Sequence, residues 1–141
     1  APGAEEDKQG MPFVGRAGAL LSAMLFSIGL SREDVYIANV LKCRPPNNRD
    51  PLGREVRECS PFLHQQISWV QPEIIVAMGR FAAQALLETD QSLGQLRGHS
   101  HKYKINELPL VVTYHPAYLL RSPSAKGKSW EDLTLAQSIV D

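Results

Sequence analysis

Residues 74–87 read IIVAMGRFAAQALL, and this stretch decides the fold. Ile74 to Met78 is short, apolar and rich in β-branched residues, which predicts a strand buried on both faces. Gly79-Arg80 follows at once and opens a predicted helix that runs through Leu87. A strand that turns directly into a helix is half of a βαβ unit. The pattern recurs on either side. Leu110-Val-Val-Thr-Tyr114 is a second core strand, with Pro109 tolerated at its start, and it stops at His115-Pro116. Val35-Tyr-Ile-Ala-Asn-Val-Leu41 reads as another buried strand.

Helices fill the intervals. Leu20, Leu21, Met24, Leu25 and Ile28 fall at helical spacing within residues 16–29, and Gly29 is a plausible stop. Ser31 with Asp34 signals one capped turn. Residues 54–70 carry an apolar stripe of Val56, Cys59, Phe62, Leu63, Ile67 and Val70, ended by Pro72. Residues 89–107 are polar and irregular, with a short edge strand expected at Tyr103–Ile105. SPSAKGKS at 122–129 leads into a last helix over 129–140. Residues 1–15 and 43–53 hold clustered Gly and Pro and read as shaped loops. The alternation predicts an α/β fold over residues 1–141. It should form a single three-layer αβα domain around a mostly parallel sheet of about four strands. In such sheets ligands sit outside the carboxyl ends of the strands. Asn39, Gly79-Arg80 and His115-Pro116 all fall there.

The 141 residues are 43% hydrophobic and 21% charged, which excludes intrinsic disorder. Lys+Arg and Asp+Glu are 15 each, so the chain is not a bulk polycation that coats nucleic acid by charge alone. Apolar stretches fall far short of the roughly 20 residues that span a bilayer. No membrane partner is expected, and the cytoplasm is the expected location. The chain starts at Ala1, without Met, inside what reads as a functional loop, so it is expected to lack an N-terminal segment of a longer protein.

Several residues carry chemistry by type and position. His115 follows an apolar strand and precedes a Pro; it could donate a hydrogen bond to developing charge, or simply cap the strand end. Asn39 offers donors and an acceptor suited to the edge of a base, or it is satisfied by nearby backbone. Glu5, Glu6 and Asp7 could stabilise a cation or activate water, or form a solvated turn. Phe13 could stack on a flat ring or anchor a core. Cys43 and Cys59 are too few for a closed zinc or iron–sulfur site, which takes about four ligands. His99 and His101 could bind a metal or lie in a solvated loop. Basic residues cluster at Arg44, Arg49, Arg54 and Arg57, at Arg80, and at Arg121, Lys126 and Lys128, as a phosphate footprint would require.

Four segments, APGAEEDKQGMPFVGRAG, NVLKCRPPNNRDP, the strand ending in MGR, and YHPAYLLRSP, resemble in this order the motif set of the family 4 uracil-DNA glycosylases. These are iron–sulfur enzymes, also described as bacteriophage-type DNA polymerase-related proteins. The resemblance implies roles for particular residues. Ala1, Pro2, Gly3 and the following residues to Glu6 would line a uracil pocket, with Glu6 nearest the sugar. Phe13 would stack on the flipped base and Asn39 would read its edge. His115 would hydrogen-bond the uracil O2. Arg44-Pro45-Pro46 and Gly79-Arg80 would hold the phosphates beside the lesion. Leu119, Leu120 or Arg121 would include the side chain that enters the stack. Cys43 and Cys59 match the second pair of cysteines of a [4Fe-4S] cluster, and the family's first pair falls upstream of Ala1. The position where other uracil glycosylases carry a water-activating Asp holds Ala1 here, so the resemblance assigns no base for the water.

The activity so implied is flipping of uracil from single- or double-stranded DNA and hydrolysis of its N-glycosidic bond, leaving an abasic site. The protein would act as a monomer, with His115 neutral. Two other readings compete. One is a non-catalytic DNA-binding domain of the same fold associated with replication proteins. The other is a binder or hydrolase of small free nucleotides.

Overall fold

The computed structural model describes residues 15–38 and 63–140. The chain divides into two compact units, Ala1–Gln71 and Pro72–Asp141.

In the first unit, helix α1 (Arg16–Ser27) buries Gly18, Leu21 and Leu25 along one stripe, as the spacing predicts. It ends where Gly29 turns at φ +82° and the Leu30 N–H returns to the Leu25 carbonyl at 2.9 Å. That is the left-handed stop for which glycine is suited. Ser31 then caps one 3₁₀ turn, its N–H donating to the Asp34 carboxylate at 2.8 Å. The strand expected at 35–41 is not seen over its described part. Residues 36–38 pair with no strand among the described residues, and Tyr36 is 59% exposed. Its apolar, β-branched composition marked a strand, but composition alone supplies no hydrogen-bonding partner. Residues 63–70 are helical. Leu63 is buried, whereas Val70 is exposed. Gln71 ends this helix before Pro72 at φ +52°.

The second unit is built on three strands in the order β1-β3-β2: β1 (Ile75–Met78), β2 (Ser100–Lys102) and β3 (Pro109–Thr113). β1 and β3 are parallel, with Ile75 opposite Leu110 and Met78 opposite Thr113. β2 lies antiparallel on the other side of β3, with His101 opposite Leu110. The described sheet is therefore mixed rather than mostly parallel. Leu110, Val111 and Val112 are each fully buried. Successive strand residues face opposite sides, so β3 is covered on both faces. Burial of each such side chain contributes about 1.5–3 kcal/mol. Helix α2 (Arg80–Leu87) packs on β1, while helices α3 (Leu93–Leu96) and α5 (Lys126–Val140) pack on β3. The Thr113 hydroxyl donates to the Ser129 hydroxyl at 3.0 Å and ties β3 to α5.

Three boundaries differ from expectation. The edge strand sits at Ser100–Lys102 rather than Tyr103–Ile105. Residues 103–108 instead form the hairpin turn, with the Tyr103 N–H donating to the Leu108 carbonyl and Glu107 at φ +56°. A short helix α4 (Pro116–Arg121) follows β3. Its signal was present in Pro116, because proline suits the first helical position. Helix α5 begins at Lys126, three residues before the expected start at 129.

Candidate active site

Because β1 and β3 are parallel and in register, both chains leave the sheet at the same edge. The Gly79 N–H extends the ladder by one bond, donating to the Thr113 carbonyl at 2.8 Å. Gly79 holds φ +95° and ψ 164°, a region that only glycine occupies readily. A Cβ placed on Gly79 would lie 3.1 Å from the Cβ of His115. The backbone conformation favours glycine, and any added Cβ would make His115 give by a few tenths of an ångström. Helices α2 and α4 both begin at this edge.

His115 is the N-cap of α4, and its carbonyl accepts from the Tyr118 N–H at 3.0 Å. Its imidazole Nδ1 accepts from the Ala117 N–H at 3.0 Å. A nitrogen that accepts a hydrogen bond carries no proton, so the neutral ring is protonated at Nε2. Burial is the main cause that lowers the His115 pKa from 6.5 to about 4. The imidazole is therefore neutral at physiological pH, and Nε2–H is a donor of fixed tautomer.

The remaining expected residues divide by position. Arg80 is exposed beside this edge, its guanidinium 4.8 Å from the centre of the Phe81 ring. Arg121 is exposed at the end of α4, and Leu120 is half-buried. Of the three candidates for the DNA stack, Leu119 is 1% exposed, which leaves Leu120 and Arg121 as the more accessible side chains. Ala1, Pro2, Gly3, Glu6, Phe13, Asn39, Cys43, Arg44, Pro45, Pro46 and Cys59 lie outside the described residues. His99 and His101 have ring centres 4.5 Å apart, and His101 Nε2 lies 2.7 Å from the Leu96 carbonyl oxygen. Among the described residues no group of three or more His, Cys, Asp or Glu side chains could hold a metal ion.

Sequence reasoning missed the support behind the site. Tyr114 stacks on Tyr118 with ring centres 5.1 Å apart and planes 15° from parallel. The Arg97 guanidinium lies 5.9 Å from the centre of the Tyr114 ring. Arg97 is in turn held by Asp132 through two bonds of 3.1 Å, from Nε and from a terminal nitrogen. It also donates to the Lys128 carbonyl at 3.2 Å. Asp132 lies 35 residues from Arg97 along the chain, and no local pattern links them. Tyr118 lies on α4, whose one local signal is Pro116.

The sequence profile of the uracil DNA glycosylase superfamily matches residues 1–134, across both units. The chain belongs to that superfamily. It is similar to the type-4 uracil-DNA glycosylase of Pyrobaculum aerophilum, at 45% identity over 96% of this chain and 72% of that protein. The type-4 uracil-DNA glycosylase of Archaeoglobus fulgidus is 46% identical over 94% of this chain and 69% of that protein. That of Thermotoga maritima is 44% identical over 99% and 73%. The family resemblance carried by the four motifs is thus borne out, as is the α/β fold. No helix among the described residues is long and apolar enough to cross a membrane.

Proposed function

We propose that this chain is a monofunctional uracil-DNA glycosylase, a repair enzyme that extrudes uracil from DNA and hydrolyses its N-glycosidic bond. The observation that carries the reading is the His115 imidazole at the carboxyl edge of the sheet, with Nδ1 committed to the Ala117 N–H so that Nε2 carries the proton.

The bond from the sugar C1′ to uracil N1 breaks with its electron pair leaving on the base. The sugar becomes an oxocarbenium-like cation, and water adds at C1′ to leave an abasic site. The charge that develops on the base concentrates at its carbonyl oxygens, O2 among them. His115 Nε2–H is proposed as the donor to O2. A preorganised donor of this kind is worth about 3 kcal/mol, or 10²–10³ in rate. Neutrality matters because an imidazolium would carry protons on both nitrogens and would lose the Nδ1 bond that orients the ring. Gly79-Arg80 and Arg121 are proposed to hold DNA phosphates, and Leu120 to occupy the gap left by the base.

Residues outside the described segments complete the reading. Asn39 is proposed to match uracil's O4 acceptor and N3–H donor, a pattern that cytosine reverses. Phe13 would stack on the ring, residues 1–3 would line the pocket, and Glu6 would face the sugar. Arg44-Pro45-Pro46 would hold a further phosphate. Cys43 and Cys59 are proposed as half of the ligand set of a [4Fe-4S] cluster. Two thiolates do not close such a site, which takes about four ligands. The expected working form is a cytoplasmic monomer acting on single- or double-stranded DNA.

The test is a labelled duplex containing one U·G pair, incubated with protein and then treated with alkali. Strand cleavage at the uracil, lost in His115→Ala and Asn39→Ala while DNA binding persists, is the expected result. Salt-sensitive binding without base release would leave a binding module. Release from free nucleotides but not from DNA would leave a nucleotide hydrolase.

A further inference from the structure

We propose that Tyr118 is a stacking platform for a DNA base that flanks the extruded nucleotide, an inference that rests on the glycosylase reading above. Helix α4 divides cleanly into two sides. Pro116 and Leu119 are buried, whereas Tyr118 is 39% exposed and Arg121 is exposed. Residues three apart on a helix are neighbours on its surface, so His115 at the N-cap, Tyr118 and Arg121 follow one another along a single stripe. An imidazole donor, an aromatic ring and a cation therefore stand in a row at the sheet edge.

The ring of Tyr118 is preorganised. It lies against Tyr114, nearly parallel at 5.1 Å, and Tyr114 is itself held near Arg97. Arg97 is locked by its paired bonds to the buried Asp132. An aromatic side chain fixed in this way loses little freedom on binding, which is the condition for efficient recognition. The flat face of a nucleobase is the complementary surface, and the adjacent Arg121 suits the phosphate attached to it. Stacking reads no sequence, because every base has a π-face. It therefore fits an enzyme that must accept any neighbour of its target. The burial of Leu119 leaves Tyr118 as the apolar side chain with the greatest exposure on α4.

Three variants test this on the U·G duplex, with the rate of uracil release and binding affinity both measured. Tyr118→Ala is expected to weaken binding about tenfold or more, within the range found for loss of a base–aromatic stack. Tyr118→Phe should retain wild-type affinity. The salt dependence of binding should be unchanged in both, since no phosphate contact is removed. In Arg121→Ala the salt slope should fall. A duplex with 2-aminopurine beside the uracil gives a direct reading, because stacking quenches its emission. The bound wild type and Tyr118→Phe should be dimmer than Tyr118→Ala. Unchanged affinity and emission in Tyr118→Ala overturns the inference. So does an equal loss in Tyr118→Phe, which would place the contact at the hydroxyl. If the wild type binds DNA yet releases no uracil, the glycosylase reading fails instead.

Discussion

Gly79 and His115 approach so closely that a Cβ on the glycine would lie 3.1 Å from the Cβ of the histidine. The contact follows from topology. Parallel strands in register end together, and the residue after β1 must pass the residue that caps α4. Gly79 also holds a backbone conformation that costs other residues about 1–3 kcal/mol. Gly79→Ala is therefore expected to destabilise the protein by that amount in chemical denaturation. Uracil release should fall more than tenfold under conditions where the variant remains folded, because His115 must shift. A fully active variant would show that the position of the ring is not critical.

Arg97 and Asp132 supply a second prediction. Asp132 is 1% exposed, and its carboxylate meets the guanidinium through two bonds of 3.1 Å. The carboxylate is buried but the Arg97 side chain is 16% exposed, so removing the guanidinium should cost about 1.5–3 kcal/mol, the range for a hydrogen bond to a charged group. Arg97→Met should lose stability in that range, measured by denaturant unfolding. By contrast, loss of the Lys104–Glu88 pair, exposed on both sides, should cost about 1 kcal/mol or less.

The acid side of the pH dependence should report His115. Its pKa in the folded chain is about 4, against an ordinary 6.5. As pH falls below 6.5 the unfolded chain takes up this proton first, which favours unfolding. The contribution to stability is thus complete above about 6.5 and is lost as pH falls through about 4. Activity that requires the neutral ring should hold down to the same low value. A kcat/KM profile whose acid limb, absent in His115→Gln, lies near 6.5 would contradict this.

Within α4, neighbouring side chains should behave in opposite ways. Leu119→Ala should cost about 2–5 kcal/mol of stability through the cavity it leaves. Arg121→Ala should leave stability within about 0.5 kcal/mol and reduce the slope of log K against log salt by about 1. Thermal unfolding and a salt titration of DNA binding separate the two.

Legibility followed the range of the interactions involved. Strands β1 and β3 and helix α2 were readable because each is a short run with one strong local signal, Ile75–Met78, Leu110–Thr113 and the Gly79 turn. The convergence of Gly79 and His115 on one edge also followed from the alternation, since parallel order fixes which ends coincide. The fate of residues 36–38 was not readable, because β-branched content does not reveal whether a partner strand lies alongside. The edge strand was displaced because Tyr103 looks like a strand residue but anchors the hairpin turn from the core. Helix α4 was missed because Pro116 was read as the end of β3 rather than as the first residue of a helix. Arg97 with Asp132, and the ring stack of Tyr114 and Tyr118, depend on tertiary packing that no spacing rule encodes. The tautomer of His115 likewise depends on one backbone N–H two residues away.

The most direct measurement is nitrogen NMR of the imidazole rings in protein labelled at its four histidines, with His115 assigned from the signal missing in His115→Gln. At pH 7 the Nδ1 of His115 should resonate as an unprotonated acceptor and Nε2 as a protonated nitrogen, and the ring should stay neutral at pH 5.5. A proton found on Nδ1, or a titration midpoint near 6.5, would contradict the account.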